Sequence, residues 1–380
     1  MVYSTQIGRF CDLNSNYEQL LCQKPYCVKT QHYYKNDKHY VMFTYNQVKS
    51  DFNNYIVREC RGIVFREGEW TKPVCHAFDK FGNYQESYVP KIDWNSAKVT
   101  EKVDGSLIKV WYNSDIDDYT ISTNGTINAF NAPLNCVKYK NFGELFVSSV
   151  DTTKLIKICK KHKKQTYIFE LVSPYNRIVV PYNETCLYFL GERNVEDLLT
   201  SFTDSECTKD FLTVGVKIPK VYNLSTFEDV VLASKELPWD EEGYVVHDKK
   251  NNRIKIKSPN YVLAHYARNN NVVTKKYLID VILKGEREEF LTYCTDYNKE
   301  LASVEADIID YKNMAFSYLV KLRTELPQNY TRKEYAQLVN SYPEWVRSYL
   351  FFAYDKNPVE YMKTWNSSKW EKELLKWENG

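Results

Sequence analysis

The hydrophobic pattern of this chain of 380 residues changes once, near residue 262. Before that point the sequence consists of short β-rich runs separated by polar turns, with few helical segments. After Tyr261, apolar side chains recur at alternating spacings of three and four residues, as in Leu301, Val304 and Ile308. Because that spacing is the period of a helix, the sequence predicts an α+β domain over residues 1–262 and an all-α domain over residues 263–380.

Helix boundaries follow from the same pattern and from local stop and start signals. The long helix through Leu301 should stop before Pro327. A capping box at residues 225–228 (Ser-Thr-Phe-Glu) predicts a helix that runs to about residue 236. Further helices are predicted over residues 152–164, 331–340, 344–354 and 358–377.

Composition excludes some classes of protein. The formal net charge is only +2, so any attraction to nucleic acid must come from local basic surfaces. The ten cysteines form no Cys-x-x-Cys pair, which indicates reduced thiols and no zinc finger. No apolar run approaches the length that spans a bilayer, so we expect a soluble cytoplasmic protein with no membrane partner, in the host cytoplasm if the source is a virus.

The segment 101–107 (Glu-Lys-Val-Asp-Gly-Ser-Leu) has two interpretations. An Asp-Gly pair between two β-rich runs is typical of an ordinary hairpin turn. A lysine beside such a turn, here Lys102, is also a candidate nucleophile. A Lys-x-Asp-Gly-Ser match should arise by chance in about one in a hundred chains of this length, so the rest of the sequence must decide.

Each of two downstream segments places a carboxylate within or next to an apolar run. Residues 166–172 are predicted as a buried strand that contains Glu170. A buried carboxylate is costly without a partner or ligand, so Glu170 is a structural ion-pair residue or a site residue. Glu242 and Gly243 begin a second strand of this kind.

The run 253–258 (Arg-Ile-Lys-Ile-Lys-Ser) is predicted as a strand with one cationic face. Side chains alternate between the two faces of a strand, which places Arg253, Lys255 and Lys257 together and the isoleucines on the opposite face. A solvated basic surface is the simplest alternative explanation of this face.

Taken in order, four features of this sequence resemble motifs I, III, IV and V of the covalent nucleotidyltransferases. They are a lysine nucleophile, a strand glutamate, a Glu-Gly pair and a Lys-x-Lys strand. That superfamily comprises polynucleotide ligases and RNA-capping enzymes. Four further segments are similar to the bacteriophage T4 RNA ligase 1 family: residues 43–46 (Phe-Thr-Tyr-Asn), 59–65 (Glu-Cys-Arg-Gly-Ile-Val-Phe), 80–83 (Lys-Phe-Gly-Asn) and 176–179 (Asn-Arg-Ile-Val). The resemblance extends from about Tyr45 to Tyr261.

This resemblance implies a fold and an activity. The fold would be a nucleotidyltransferase domain of the ATP-grasp-like ligase type, with antiparallel sheets. The activity would be ATP-dependent joining of RNA 5′-phosphate and 3′-hydroxyl ends through lysyl-AMP and RNA-adenylate intermediates. Relatives that act on DNA or cap RNA usually continue with a small oligonucleotide-binding (OB) barrel after motif V, and nothing after Tyr261 encodes one. We therefore expect no OB-fold and a helical domain with a role in RNA choice.

The resemblance also assigns roles to residues. Lys102 would carry AMP, Glu170 would accept a hydrogen bond from the ribose, and Lys255 and Lys257 would hold the triphosphate. Gly243 would let the backbone approach the nucleotide. The ATP-binding residues implied in the same way are Tyr45, Arg61, Lys80, Gly105, Glu242, Gly243 and Val245.

Magnesium is the expected metal, with manganese as a substitute. Mg²⁺ prefers oxygen ligands and serves phosphates with one or two carboxylates, and by resemblance Glu242 would orient a metal-bound water. A second acidic metal site is implied in the tail, where Gly285 is followed by Glu288 or Glu289.

Two positions depart from the family pattern. The family has two consecutive phenylalanines where this chain has Phe81 and Gly82, and it has a lysine in the motif Ia turn where this chain has Asn124. The first departure removes or replaces an aromatic side chain near the ATP pocket, and the second removes one possible phosphate contact.

Other functions and partners stay open at this point. A GTP-dependent capping guanylyltransferase and a catalytically silent RNA-binding relative are the alternatives to an RNA ligase. The expected partners are RNA with 5′-phosphate and 3′-hydroxyl ends, such as a cleaved tRNA, and a polynucleotide kinase-phosphatase that acts first. The lysine-rich segment 154–164 could follow an RNA backbone, although a solvated helix face explains it better. We expect a monomer.

Overall fold

A computed structural model describes residues 3–202, 205–266 and 273–379. The chain divides into two compact units, Met1–His265 and Tyr266–Gly380. This division falls close to the boundary predicted between residues 262 and 263. That the first unit transfers adenylyl groups and the second selects RNA stays a prediction.

The first unit contains three sheets in which the strands pair antiparallel. The first sheet has the order β1-β2-β3, with β1 (Val28–Lys35), β2 (Lys38–Tyr45) and β3 (Arg61–Arg66). The second has the order β10-β4-β11-β12, with β4 (Lys98–Glu101), β10 (Val221–Tyr222), β11 (Gly243–His247) and β12 (Arg253–Lys257). The third has the order β6-β5-β7-β8-β9, with β5 (Ser106–Asn113), β6 (Asp118–Thr123), β7 (Gln165–Val172), β8 (Cys186–Asn194) and β9 (Thr200–Ser201).

The first unit contains more helices than the sequence pattern predicted. In the first unit they are α1 (Gln6–Leu13), α2 (Tyr17–Leu21), α3 (Tyr55–Glu59), α4 (Phe142–Ser149), α5 (Thr152–Cys159), α6 (Glu206–Thr213), α7 (Phe227–Glu236) and α8 (Pro259–Tyr266). The helices α4, α5 and α6 pack on one face of the third sheet through side chains such as Phe146, Leu155 and Phe211. These helices are short, and a weak periodic signal over eight residues is easily missed.

The second unit consists of helices in the residues that the structure describes. They are α9 (Lys275–Lys284), α10 (Arg287–Tyr293), α11 (Asn298–Glu325), α12 (Arg332–Asn340), α13 (Glu344–Phe352), α14 (Pro358–Lys363) and α15 (Ser367–Asn379). Its core is aromatic, since Tyr311 contacts Trp345, Trp365 and Trp370. The predicted fold class, α+β followed by all-α, is confirmed, and β12 is the last strand in the described residues.

Three helix predictions need correction. The helix predicted over 152–164 ends at Cys159, where the apolar positions stop and a run of basic residues begins. The helix predicted over 358–377 is two helices, because the side chain of Asn366 accepts a hydrogen bond from the Lys369 N–H and so begins a new helix. The N-cap of α7 is Thr226 rather than Ser225, and its hydroxyl accepts from the Asp229 N–H.

The hairpin interpretation of residues 101–107 is wrong. The strands on either side of the Asp-Gly pair belong to different sheets, since β4 pairs with β10 and β11, whereas β5 pairs with β6 and β7. Residues 102–105 therefore cross from the second sheet to the third. The cleft between these two sheets is where the predicted site residues meet.

None of the helices in the described residues is long and apolar enough to cross a membrane.

Candidate active site

A cavity of about 120 Å³ lies between the second and third sheets. The second sheet contributes Val245 and Arg253, and the third contributes Leu107 and Glu170. Lys102, on the segment that joins the two sheets, also lines the cavity, and we refer to it as the Lys102 cavity. Four predicted residues thus face one space: Lys102, Glu170, Val245 and Arg61.

Glu242 connects two of the predicted lysines. Its carboxylate lies 2.7 Å from Nζ of Lys102 and 3.6 Å from Nζ of Lys257. The carboxylate is almost completely buried, while both lysines keep about a fifth of their side-chain surface exposed. A carboxylate at this distance holds the ammonium groups in place and is the nearest acceptor for a proton that leaves Lys102.

Glu170 lies on β7, in the wall of the Lys102 cavity. Burial raises the pKa of this carboxyl to about 8, and the negative charges of Glu242 and Asp104 act in the same direction. Lys102 and Arg61 oppose the shift without cancelling it. Glu170 is therefore largely protonated at neutral pH, so it can donate a hydrogen bond as well as accept one.

Two glycines allow close approaches that a side chain would prevent. A Cβ atom on Gly105 would lie 2.6 Å from the carbonyl oxygen of Leu171 and 2.9 Å from Cγ of Glu170. Gly243 has φ = +139°, and a Cβ there would lie 2.3 Å from the carbonyl oxygen of Ile256. In addition, the Gly243 carbonyl accepts a hydrogen bond of 2.8 Å from the Lys102 N–H. These glycines bring residues 102–105, which carry the predicted nucleophile Lys102 and which we call the nucleophile segment, against the neighbouring strands.

Asp104, which the sequence argument did not assign, anchors the nucleophile segment. One carboxylate oxygen accepts hydrogen bonds from the N–H groups of Val179 and Val180, at 2.9 and 2.8 Å. The other accepts from the hydroxyl group of Tyr261 at 2.8 Å. The side-chain amide of Asn176 donates to the Ser106 hydroxyl at 2.8 Å. The Asn-Arg-Ile-Val segment therefore acts as a support for the Lys-x-Asp-Gly-Ser segment.

The segment 80–83 runs along β12. The Gly82 carbonyl accepts from the Lys255 N–H at 3.0 Å, and Asn83 forms an isolated parallel bridge with Lys255. A Cβ atom on Gly82 would lie 2.1 Å from Oε2 of Glu86, so the Glu86 side chain would have to move before the second phenylalanine of the family could fit here. The remaining aromatic residue, Phe81, lies 5.3 Å from the Arg61 guanidinium and lines the Lys102 cavity.

Of the predicted phosphate-contact residues, Arg61 lines the Lys102 cavity, whereas Tyr45, Lys80, Lys255 and Lys257 lie outside its lining. Lys80 donates to Oε1 of Gln47 at 3.3 Å, and its Nζ lies 5.3 Å from the ring of Tyr45. Lys80 instead lines a second cavity, described below. Tyr45 is the last residue of β2 and packs edge-on against Phe52.

This chain lacks the lysine of the motif Ia turn, but a buried lysine lies close to that turn. Lys109 is completely buried, and its amine donates a hydrogen bond to the Gly62 carbonyl. A Cβ atom on Gly62 would lie 2.5 Å from the Asn124 carbonyl oxygen and 2.7 Å from Nζ of Lys109, so these groups share one small space. Burial lowers the pKa of Lys109. A single buried lysine in an apolar strand was the signal that could have identified it.

The residues present fit a metal that is held mainly by substrate. In the described part of the chain, no three His, Cys, Asp or Glu side chains are grouped so as to bind an ion. Glu242 is the carboxylate that lies beside the Lys102 amine. Mg²⁺ often binds with one or two carboxylates, phosphate oxygens and water, which suits Glu242 together with the phosphates of a nucleotide.

Glu288 of the second unit is exposed and lies 3.1 Å from Nη1 of Arg287. Gly285 has φ = +69° and ends α9, as expected for a glycine at that position. The side chain of Glu289 lies outside the described residues. A metal role for Glu288 stays a prediction.

The lysines of segment 154–164 are mostly paired with acids. Lys154 contacts Asp151, Lys161 contacts Asp210, Lys163 contacts Asp117 and Lys164 contacts Glu196. These pairs reduce the local positive charge, which favours a solvated surface over an RNA-binding one.

Comparison with known proteins identifies the family. The family model for RNA ligases of the T4 RNA ligase 1 type matches residues 59–261, more than half of the chain. The chain belongs to this RNA ligase family. The match begins at the Glu-Cys-Arg-Gly segment and ends at Tyr261, so it contains Lys102, Glu170, Glu242 and the strand β12.

Two known proteins are similar in sequence to this RNA ligase family member. A viral protein described as a bifunctional polynucleotide kinase/RNA ligase, from Autographa californica nuclear polyhedrosis virus, is 29% identical over 317 residues. That match covers 77% of this chain but only 42% of the viral protein. An RNA ligase of Rhodothermus phage RM378 is 25% identical over 360 residues, covering 79% of this chain and 80% of the phage protein.

Among solved structures, an archaeal ATP-dependent RNA ligase is similar with a TM-score of 0.49 and 12% identity, covering 86% of each chain.

Proposed function

We propose that this chain is an ATP-dependent RNA ligase that joins 5′-phosphate and 3′-hydroxyl ends. The observation that carries the proposal is the position of Lys102, with its amine 2.7 Å from Glu242 in a cavity that also contains Glu170. A lysine nucleophile needs an acceptor for its proton and a confined space for the nucleotide, and both are present here. Family membership supports the same activity.

In the first step, Nζ of Lys102 attacks the α-phosphorus of ATP. The new N–P bond forms as the bond to the pyrophosphate oxygen breaks, and the amine proton passes to Glu242 or to solvent. Lys257 lies 3.6 Å from Glu242 and is placed to neutralise charge on the phosphates. Glu170 binds the ribose, Val245 packs against adenine, and Arg61 contacts phosphate oxygens from the cavity wall.

In the second step, an oxygen of the RNA 5′-phosphate attacks the phosphorus of the lysyl-adenylate. The O–P bond forms, the N–P bond breaks, and the Lys102 amine leaves with the electron pair and is reprotonated. In the third step, the 3′-hydroxyl of the other RNA end attacks the activated 5′-phosphate, and AMP leaves. Each step is a displacement at phosphorus, so positioning and charge neutralisation supply most of the catalysis.

Mg²⁺, with Mn²⁺ as a substitute, would supply charge neutralisation on the phosphate oxygens. Glu242 is the residue that we expect to hold it, and Glu288 remains a weaker candidate. Lys255 and Lys80 complete the proposed phosphate contacts, with Tyr45 packed against Lys80.

RNA repair is the proposed setting, with a cleaved tRNA as one such substrate. A ligase of this kind needs 5′-phosphate and 3′-hydroxyl ends, and an end-healing kinase-phosphatase would supply them. The viral relative, described as a kinase and ligase in one longer protein, supports this pairing of activities. In this scheme the helical unit contributes to RNA choice, and the protein acts as a monomer.

Labelling with α-³²P-ATP tests the proposal. Wild-type protein, first treated with pyrophosphate to remove preformed adenylate, should retain label after denaturing electrophoresis, and Lys102→Ala should not. Lys98→Ala is the matched control, because Lys98 is exposed on β4, four residues before Lys102. Label from GTP instead of ATP would favour a capping enzyme. RNA binding without label from either nucleotide would indicate a silent relative.

A further inference from the structure

A second cavity of about 320 Å³ adjoins the Lys102 cavity. Arg253, Phe78, Phe81 and Phe202 line both cavities, so these four side chains form the wall between them. The second cavity is further lined by Arg58, and we refer to it as the Arg58 cavity. Its volume is in the range of small-ligand sites.

The Arg58 cavity is strongly cationic. Five basic residues and one acid line it: Arg58, Lys80, Arg193, Lys250, Arg253 and Asp79. The acid is already engaged, because Asp79 lies 2.9 Å from Nη1 of Arg193 and 3.0 Å from Nε2 of His76. The net charge of the lining therefore favours an anionic ligand.

Arg253 is the feature that points most directly to a ligand. Its side chain is 8% exposed, and it makes no hydrogen bond or ion pair with any residue that the structure describes. The guanidinium instead lies between aromatic rings, 3.5 Å from the centre of Phe78 and 4.7 Å from that of Phe202. Cation–π contacts orient the guanidinium and leave its N–H donors available to an acceptor in the cavity that Arg253 lines.

Aromatic side chains supply a second type of contact. Tyr55 and Tyr88 line the Arg58 cavity beside the shared phenylalanines. Arginine next to aromatic rings is a combination that binds nucleotides, since the guanidinium contacts phosphate and a ring can stack on a base.

The loop that closes one side of the Arg58 cavity is held in position. Asp248, almost completely buried, accepts hydrogen bonds from the N–H groups of Lys250 and Asn252, at 2.8 and 3.0 Å. Lys249 and Lys250 are both exposed, but only Lys250 lines the cavity.

We propose that the Arg58 cavity binds the 5′-terminal nucleotide of the RNA strand that receives AMP, with Arg253 and Lys250 contacting its phosphates. This inference rests on the proposed ligase function. The shared wall places such a nucleotide next to the cavity that contains Lys102, where its 5′-phosphate must attack the adenylate. The same phosphate chemistry could come from the pyrophosphate end of ATP, so the experiment must separate the two sources.

The test uses the full chain and separates the two half-reactions. Lysyl-adenylate is first formed with labelled ATP, and free ATP is removed. Transfer of AMP is then followed against the concentration of a 5′-phosphorylated RNA oligonucleotide. Lys250→Glu should raise the RNA concentration for half-maximal rate roughly fivefold, and Lys249→Glu should not, since only Lys250 faces the cavity. Arg253→Gln should weaken the same step about thirtyfold.

The ATP dependence of labelling is measured in the same variants. A rise in the ATP requirement of Lys250→Glu, with an unchanged RNA requirement, would assign the cavity to the pyrophosphate end of ATP and overturn the proposal. No change in either requirement would also overturn it.

Direct binding keeps the inference testable if the ligase function fails. In that case wild-type protein forms no lysyl-adenylate at all. Fluorescence anisotropy should still show that a 5′-phosphorylated oligonucleotide binds more tightly than the same RNA with a 5′-hydroxyl group, and that Lys250→Glu removes the difference. Equal affinity for the two RNAs would refute the site.

Discussion

The hydroxyl group of Tyr261 donates a hydrogen bond of 2.8 Å to the carboxylate of Asp104, across 157 residues of sequence. Asp104 lies two residues after the proposed nucleophile Lys102, and Tyr261 lies on α8, just after the strand that carries Lys257. One hydrogen bond therefore joins the segment that carries Lys102 to the chain that follows the proposed phosphate-binding lysines. Such a contact fixes Lys102 without touching the nucleotide.

Removing this contact should slow adenylate formation. Tyr261→Phe deletes one hydrogen bond of about 1 kcal/mol, so we expect the maximal rate of lysyl-adenylate formation to fall about fivefold. The ATP concentration for half-maximal rate should change less, because the residue positions the nucleophile rather than binding ATP. Tyr34→Phe, on the exposed face of β1, is the control. A change confined to ATP affinity would contradict the positioning role.

Adding one methyl group at Gly105 should damage the site. The Cβ atom would meet the Leu171 carbonyl at 2.6 Å and Glu170 at 2.9 Å, so the nucleophile segment must move away from β7. We expect Gly105→Ala to reduce lysyl-adenylate formation about a hundredfold, since a shift of about 1 Å has this effect on positioned groups. In Gly125→Ala the new atom meets nothing within 4 Å, and labelling should stay at the wild-type level.

Glu242→Gln tests the carboxylate between the two lysines. The substitution keeps the shape but removes the charge beside Lys102 and Lys257, together with the proton acceptor. We expect labelling with ATP to fall about a hundredfold, within the range that general-base catalysis contributes. The neighbouring Glu241→Gln should label normally. Equal activity of the two variants would exclude Glu242 from the reaction.

The raised pKa of Glu170 makes a prediction for stability against pH. Its pKa rises from 4.5 to about 8 on folding, so between these values the folded chain holds a proton that the unfolded chain has released. Because the folded state binds more protons there, this group lowers stability as the pH rises. Glu170→Gln cannot ionise, and its melting temperature should exceed that of wild type increasingly from pH 5 to pH 8.

Glu59 does not obscure this measurement. Burial raises the pKa of Glu59 to about 7, but that group is the same in both proteins and its contribution cancels in the difference. A melting-temperature difference that is constant across the pH range would mean that Glu170 does not titrate as described.

The site residues that the sequence identified share a property: each belongs to a short local motif. Lys102 stands before Asp-Gly, Glu242 stands before a glycine that begins a strand, and Lys255 and Lys257 follow the two-residue period of β12. The helices of the second unit were equally accessible, since α11 repeats its apolar positions over 28 residues. The contacts of Asp104 and Tyr261 could not be predicted in this way, because each of these residues acts through partners that are distant in the sequence.

The sequence by itself therefore determined the family, the order of the chemical groups and the change from an α+β unit to a helical one. Only the tertiary structure decided that Lys102 lies on a crossing between two sheets rather than in a hairpin, and that Arg253 lies between Phe78 and Phe202. The physical reason is that a strand carries the same alternation whichever strand it pairs with. β4 pairs with β11, and β5 pairs with β7. Both pairings are set by contacts between residues far apart in the chain.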